Sequence, residues 1–102
     1  MPTIEEQYLL KHPISQETYG SATEVFPDGV THDNRFLMPF PIVATHADGS
    51  RKWDVDGNEY VDYVMGHGAL LLGHGHPDVV HAVTDKMAQG THLGANTKDE
   101  LE

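Results

Sequence analysis

Apolar positions recur along the chain with two different periods, and the changes of period mark its elements. Ile4, Tyr8 and Leu9 fall at helical intervals, with Thr3 and Glu6 at capping-box spacing, which predicts a short helix over 3–12 ended by Pro13. A second helix is predicted from Ser15 or Gln16 to about Val25, with Tyr19, Ala22 and Phe26 on one face and Gly20 as its weak point. It stops ahead of Pro27 because the residue before a proline avoids the helical region. The period then shortens: residues 42–46, 51–55 and 59–64 are rich in β-branched and aromatic side chains and predict a three-stranded antiparallel meander. Its first turn is Ala47-Asp48-Gly49-Ser50. Its second is Asp56-Gly57, a dipeptide suited to the positive φ angles of a two-residue hairpin loop. Helical spacing returns after Pro77, with Val79, Val80, Val83 and Met87 on one stripe and Gly90 as the C-terminal cap.

Two stretches follow neither period. Residues 27–41 hold three prolines, yet Phe36, Leu37, Met38 and Phe40 require burial, so an ordered irregular loop is expected. In residues 65–76, Gly66, Gly68, Gly73 and Gly75 alternate with His67, His74 and His76 around the apolar run 69–72, a pattern of backbone packed close against a neighbour. The expected fold class is α+β, divided into a helical arm (1–26), a loop (27–41), a β-meander (42–64), a Gly/His loop (65–76), a helix (77–90) and the start of a further helix (91–102). In that last part Thr97 and Glu100 repeat the capping-box spacing and Leu101 begins an apolar stripe. A capped first turn alone has little stability, so the chain is expected to be an N-terminal segment of something longer.

Composition narrows the classes of function. With 22% charged and 38% hydrophobic residues the chain is of ordinary globular type, and a net charge of −10 disfavours nucleic acid and anionic membrane as partners. There is no cysteine and no apolar run of membrane-spanning length, and the acidic start M-P-T-I-E-E-Q lacks the pattern of a secretory leader, so a cytoplasmic location is expected. Lys98-Asp99-Glu100-Leu101 spells a retention signal that is read only at a terminus, and Glu102 follows it.

The most informative stretch is W-D-V-D-G-N-E-Y-V-D-Y followed by a glycine-rich loop, G-H-G-H-P and a helix. With Phe26-Pro27-Asp28-Gly29-Val30 before it and Gly90-Thr91-His92-Leu93-Gly94-Ala95 after it, this order resembles the N-terminal part of class III pyridoxal-phosphate-dependent aminotransferases, the glutamate-1-semialdehyde aminomutase-like branch in particular, over roughly residues 14–102. The resemblance implies part of the fold type I transferase fold, a homodimer in full-length form, pyridoxal phosphate as cofactor, and amino-group transfer or intramolecular exchange on an amino-acid-like substrate. It also implies that the phosphate cradle and the Schiff-base lysine lie in the large domain. Lys11, Lys52, Lys86 and Lys98 do not match the family's lysine motif and read as surface charges. No catalytic, cofactor-binding or metal-binding residue is therefore assigned, and the chain is expected to be inactive alone. The alternative is a non-catalytic module, or a remnant, that pairs with a related subunit.

Two substrate-binding candidates remain. Arg35 stands where the branch's G-G-V-N-S-P-V-R segment ends, an arginine the resemblance implies binds a substrate carboxylate; otherwise it is a loop arginine paired with Asp33 or Asp28. His67 stands where the branch has the tryptophan of a W-G-P loop, and a smaller, titratable ring there would face a more polar substrate; otherwise it is a hydrogen-bonded loop histidine. His74 and His76 could join His67, His81 and His92 around a metal, but G-H-G-H-P reads better as a turn whose imidazoles satisfy backbone groups at the helix start.

Overall fold

A computed structural model describes residues 1–100. Helix α1, Ile4–Lys11, begins with the capping box in full: the Glu6 amide donates to the Thr3 hydroxyl at 3.1 Å and the Thr3 amide to the Glu6 carboxylate at 2.7 Å. His12 breaks the helix, and α2, Pro13–Ala22, starts on the next residue. This is two residues earlier than expected. Pro13 needs no amide partner in a first turn, and the Asp56 carboxylate takes the amides of Ile14 and Ser15 at 2.7 and 3.0 Å, so the helix has a cap supplied from a distant loop. It also ends before Val25. The amides of Glu24 and Val25 reach back only three residues, to Ser21 and Ala22, and Phe26 leaves the helix for a short 3₁₀ turn, Pro27–Gly29.

Strands β1 (Ala44–Asp48), β2 (Arg51–Asp54) and β3 (Glu59–Val61) form the antiparallel sheet in the order β1-β2-β3. Strand β1 begins later and runs further than expected. With Asp48 opposite Arg51, the first turn shrinks to Gly49 and Ser50. The second turn is longer than the Asp56-Gly57 pair suggested. Trp53 pairs with Glu59, the Gly57 amide donates to the Asp54 carbonyl at 3.1 Å, and only Gly57 has a positive φ (84°), so residues 55–57 make a three-residue loop ending in glycine. Strand β3 stops at Val61, short of Val64, because the Asp62 carboxylate turns back to accept the amides of Val64 and Met65.

Beyond the sheet the chain turns left-handed for four residues, with φ of 47° at Met65, 61° at Gly66, 58° at His67 and 85° at Gly68. The loop returns to the sheet at one point, where His74 and Gly49 exchange backbone hydrogen bonds of 2.8 and 3.0 Å. Gly73 is needed there, since a Cβ would stand 3.0 Å from the Gly49 carbonyl oxygen. Helix α3, Pro77–Met87, is followed by Ala88 as its cap, two residues ahead of Gly90. The last described turn is Lys98–Glu100, in which the Thr97 hydroxyl meets the Glu100 carboxylate at 3.4 Å, with no bond to the amide that a capping box needs. The expected stripe at Leu101 lies outside the described residues.

Phe40 is the one large apolar side chain buried among the described residues; Phe36, Leu37 and Met38 stay 46, 51 and 72% exposed, against expectation. The chain exposes 8183 Å², whereas a compact monomer of its 11.3 kDa exposes about 5,700 Å². Its radius of gyration is 17.8 Å, against about 13 Å for a compact domain of this length. None of the helices of the described residues is long and apolar enough to cross a membrane.

Candidate functional site

Arg35 closes a second 3₁₀ turn, Asp33–Arg35. The turn is tied locally: Asp33 Oδ1 and His32 Nδ1 both face the Asn34 amide, at 2.8 and 3.3 Å. The Arg35 guanidinium donates from Nη1 to the Thr31 hydroxyl at 2.6 Å, and among the described residues neither Asp33 nor Asp28 pairs with it, so the alternative of an internal ion pair does not hold. One donor of five is used, and the exposed fork lines an open cleft of about 750 Å³ between α2, the loop and the sheet. Phe26, Phe36, Ile42 and Val43 give that cleft apolar walls.

His67 sits at the exposed tip of the left-handed turn, held by backbone bonds from Gly68 to Val64 and from Leu70 to Met65, each 3.0 Å. Positive φ at two non-glycine residues in one turn costs about 1–2 kcal/mol each. Among the described residues the imidazole makes no hydrogen bond, contrary to the alternative of a bonded loop histidine. It does not line the Arg35 cleft, so the two candidates are not brought together.

His74 and His76 do not cap α3. His74 Nε2 lies 2.6 Å from the Asp62 carboxylate, and among the described residues His76 Nδ1 is buried without a partner and the helix start has no side-chain cap. The His74 bond, with the Met65 amide next, then the Val64 amide and the Lys52 charge against the opposing effect of burial, holds the Asp62 carboxyl well below the usual carboxylate range.

The best-built polar cluster is one the sequence reading missed. His12, at the α1–α2 corner, is 5% exposed, and Asp54, on β2, is 3% exposed. Nδ1 of His12 faces the Tyr8 carbonyl and Nε2 faces the Tyr60 hydroxyl, both at 2.7 Å; that hydroxyl donates to Asp54 at 2.7 Å, and the imidazole and carboxylate are 3.5 Å apart. A carbonyl can only accept, so Nδ1 of His12 is the donor to Tyr8. Burial pushes the Asp54 carboxyl up, but hydrogen bonds from Tyr60 and Asn58 and the nearby His12 outweigh it and leave it lowered. Burial and the Asp54 bond push the Tyr60 hydroxyl well up. Asn58 adds a bond to the Lys11 carbonyl at 3.0 Å. The cluster thus fastens the helical arm to the hairpin. Its signal was present in D-x-D-G-N, read only as a turn, and in His12-Pro13.

The class-III aminotransferase family model matches residues 33–102. The glutamate-1-semialdehyde 2,1-aminomutase of Chloroflexus aurantiacus is 46% identical over 105 aligned positions, which take in all of this chain and 23% of that protein. The crystal structure of a glutamate-1-semialdehyde aminomutase from Pseudomonas aeruginosa PAO1, also solved as a variant in complex with PMP, superposes with a TM-score of 0.81 at 27% identity over 92% of this chain and 21% of its own. A β-phenylalanine aminotransferase from Variovorax paradoxus gives a TM-score of 0.82 at 26% identity, over 89 and 21%. The chain spans less than a quarter of the length of these relatives, and with the family model matched over residues 33–102 it belongs to the class-III aminotransferases.

Proposed function

We propose that the chain forms an N-terminal part of the substrate side of a pyridoxal-phosphate-dependent aminotransferase or aminomutase, inactive alone, that acts on a carboxylate-bearing amino compound. The observation that carries this reading is the Arg35 fork, anchored through a single bond to Thr31 and, among the described residues, otherwise unpaired at the edge of an apolar-walled cleft. A planar guanidinium in that state matches a carboxylate bidentately. His67, displayed by a strained turn, is the second substrate-side residue, reaching a different part of the site.

The described residues do not fit pyridoxal phosphate by themselves. Lys52 stands 3.6 Å from Asp62, Lys86 stands 2.7 Å from Asp99, and Lys11 is exposed, whereas a Schiff-base lysine requires a desolvated, activated amine. The cofactor is held by other parts of the full-length homodimer, and the cytoplasm is the compartment that fits the composition. The aminomutase relatives support exchange of an amino group within one substrate, and the aminotransferases support transfer between two.

The test is a graft: residues 1–102 replace the matching segment of the Chloroflexus aurantiacus aminomutase, and cofactor absorbance and turnover are measured. Turnover is expected. In the graft, Arg35→Lys should lower kcat/KM at least roughly tenfold for the carboxylate substrate and leave an analogue without that carboxylate nearly unaffected. A dead graft that retains its cofactor would favour the non-catalytic module, and equal losses on both substrates would make Arg35 a structural residue.

A further inference from the structure

The chain carries 16 acidic and 6 basic residues, so a surface region taken at random is acidic. The cleft beside Arg35 is the reverse. Among the described residues its lining includes no aspartate or glutamate, and its two charged members are both cations, Arg35 from the loop and Lys52 from strand β2. A wall whose charged members are both cations favours an anion over the acidic surface around it, and apolar neighbours strengthen a charge contact by lowering the local dielectric.

Lys52 is also prepared for such a role. Its side chain is 31% exposed, and its ammonium lies 3.6 Å from Asp62 Oδ1. Asp62 is 8% exposed and already engaged by His74 and two backbone amides. The carboxylate therefore positions the ammonium without using up its three donors. Lys52 lies opposite Tyr60 in the sheet, and the hairpin that carries it is fastened by the His12, Tyr60 and Asp54 cluster, so the amine is borne on a rigid element.

We infer that Lys52 is a second anion-binding residue of the Arg35 cleft, and that the cleft takes a ligand with two carboxylates joined by an apolar spacer. This rests on the reading of Arg35 as a carboxylate anchor and extends it: Arg35 takes one acidic group, Lys52 the other, and the apolar walls pack the spacer between them.

The experiment compares glutarate, butyrate and glutaramide on the 102-residue chain by ligand-observed saturation-transfer NMR, which reports binding directly. Glutarate is expected to bind about fivefold more tightly than butyrate, a factor suited to one partly exposed charge contact, and glutaramide not measurably. Lys52→Gln should bring glutarate down to the butyrate level and leave butyrate unchanged. Arg35→Gln should weaken both, and Lys11→Gln, outside the cleft, neither. Butyrate binding with no advantage for glutarate, or a Lys52→Gln variant that keeps that advantage, would overturn the Lys52 assignment alone. Failure of both acids to bind, or indifference of both to Arg35→Gln, would overturn the Arg35 reading beneath it.

Discussion

The two ends of the molecule are built on opposite principles. The arm and hairpin, residues 4–61, hold together through buried polar contacts between residues far apart in sequence: His12 with Tyr60, Asp56 with Ser15, Tyr8 with the Phe40 carbonyl. Helix α3 has the more regular apolar stripe, yet every one of its residues is exposed, with Val79, Val80, Val83 and Met87 at 47 to 57%. Among the described residues its side-chain support is confined to exposed contacts, including His81 with Asp85 on the helix itself and Lys86 with Asp99. The better amphipathic pattern thus belongs to the less supported element, because a stripe states which face is to be covered and not what covers it. The surface in excess of a compact monomer, about 2,500 Å², exceeds the roughly 800 Å² that each partner buries in a standard interface, so the α3 side is the one expected to associate.

The largest effect is expected from Asp54→Ala, which removes the buried acceptor shared by Tyr60, Asn58 and the Asp56 amide and leaves those donors and the neighbouring His12 without it. It should cost roughly 3 kcal/mol and abolish amide-exchange protection in α1 and α2 while α3 exchanges as before. Equal loss in α3 would show that the two regions are one cooperative unit.

Acidification should act on the same side with a smaller effect, since a protonated carboxyl still accepts hydrogen bonds. Asp54, Asp56 and Asp62 all have lowered folded-state values. Their contribution is complete above the unfolded value of about 3.9 and is lost as pH falls through the lower folded values. Urea midpoints followed through Trp53 should decline as pH falls below 4. A midpoint that rose on acidification would contradict the assigned bonds.

The smallest effect on stability, and the sharpest on association, belongs to Val83→Lys. On a half-exposed site it should change stability by no more than about 0.5 kcal/mol, yet reduce self-association measured by sedimentation. An unfolded variant would mean that Val83 is already part of a core.

Much of the secondary structure was legible because it is locally encoded. The capping box at Thr3 and Glu6, the three strands and the proline start of α3 each depend on neighbours within a few residues. Misplaced boundaries had distant causes. Helix α2 starts at Pro13 because Asp56 caps it from another element, and β3 stops early because Asp62 is drawn into turn amides and the His74 imidazole. Arg35 could be singled out from its motif, but its release from Asp28 and Asp33 could not, since an ion pair is decided by the path of the loop.

By itself, then, the sequence determined the helices and strands, their order, and the family to which that order belongs, since local periodicity and motif spacing survive whatever the chain packs against. Only the tertiary structure decided that His12, Tyr60 and Asp54 meet in one buried cluster, that Arg35 and Lys52 share a cleft with no carboxylate among its described lining residues, and that Arg35 and His67 share none. These are contacts across tens of residues. They depend on which faces come together, and no local pattern specifies that.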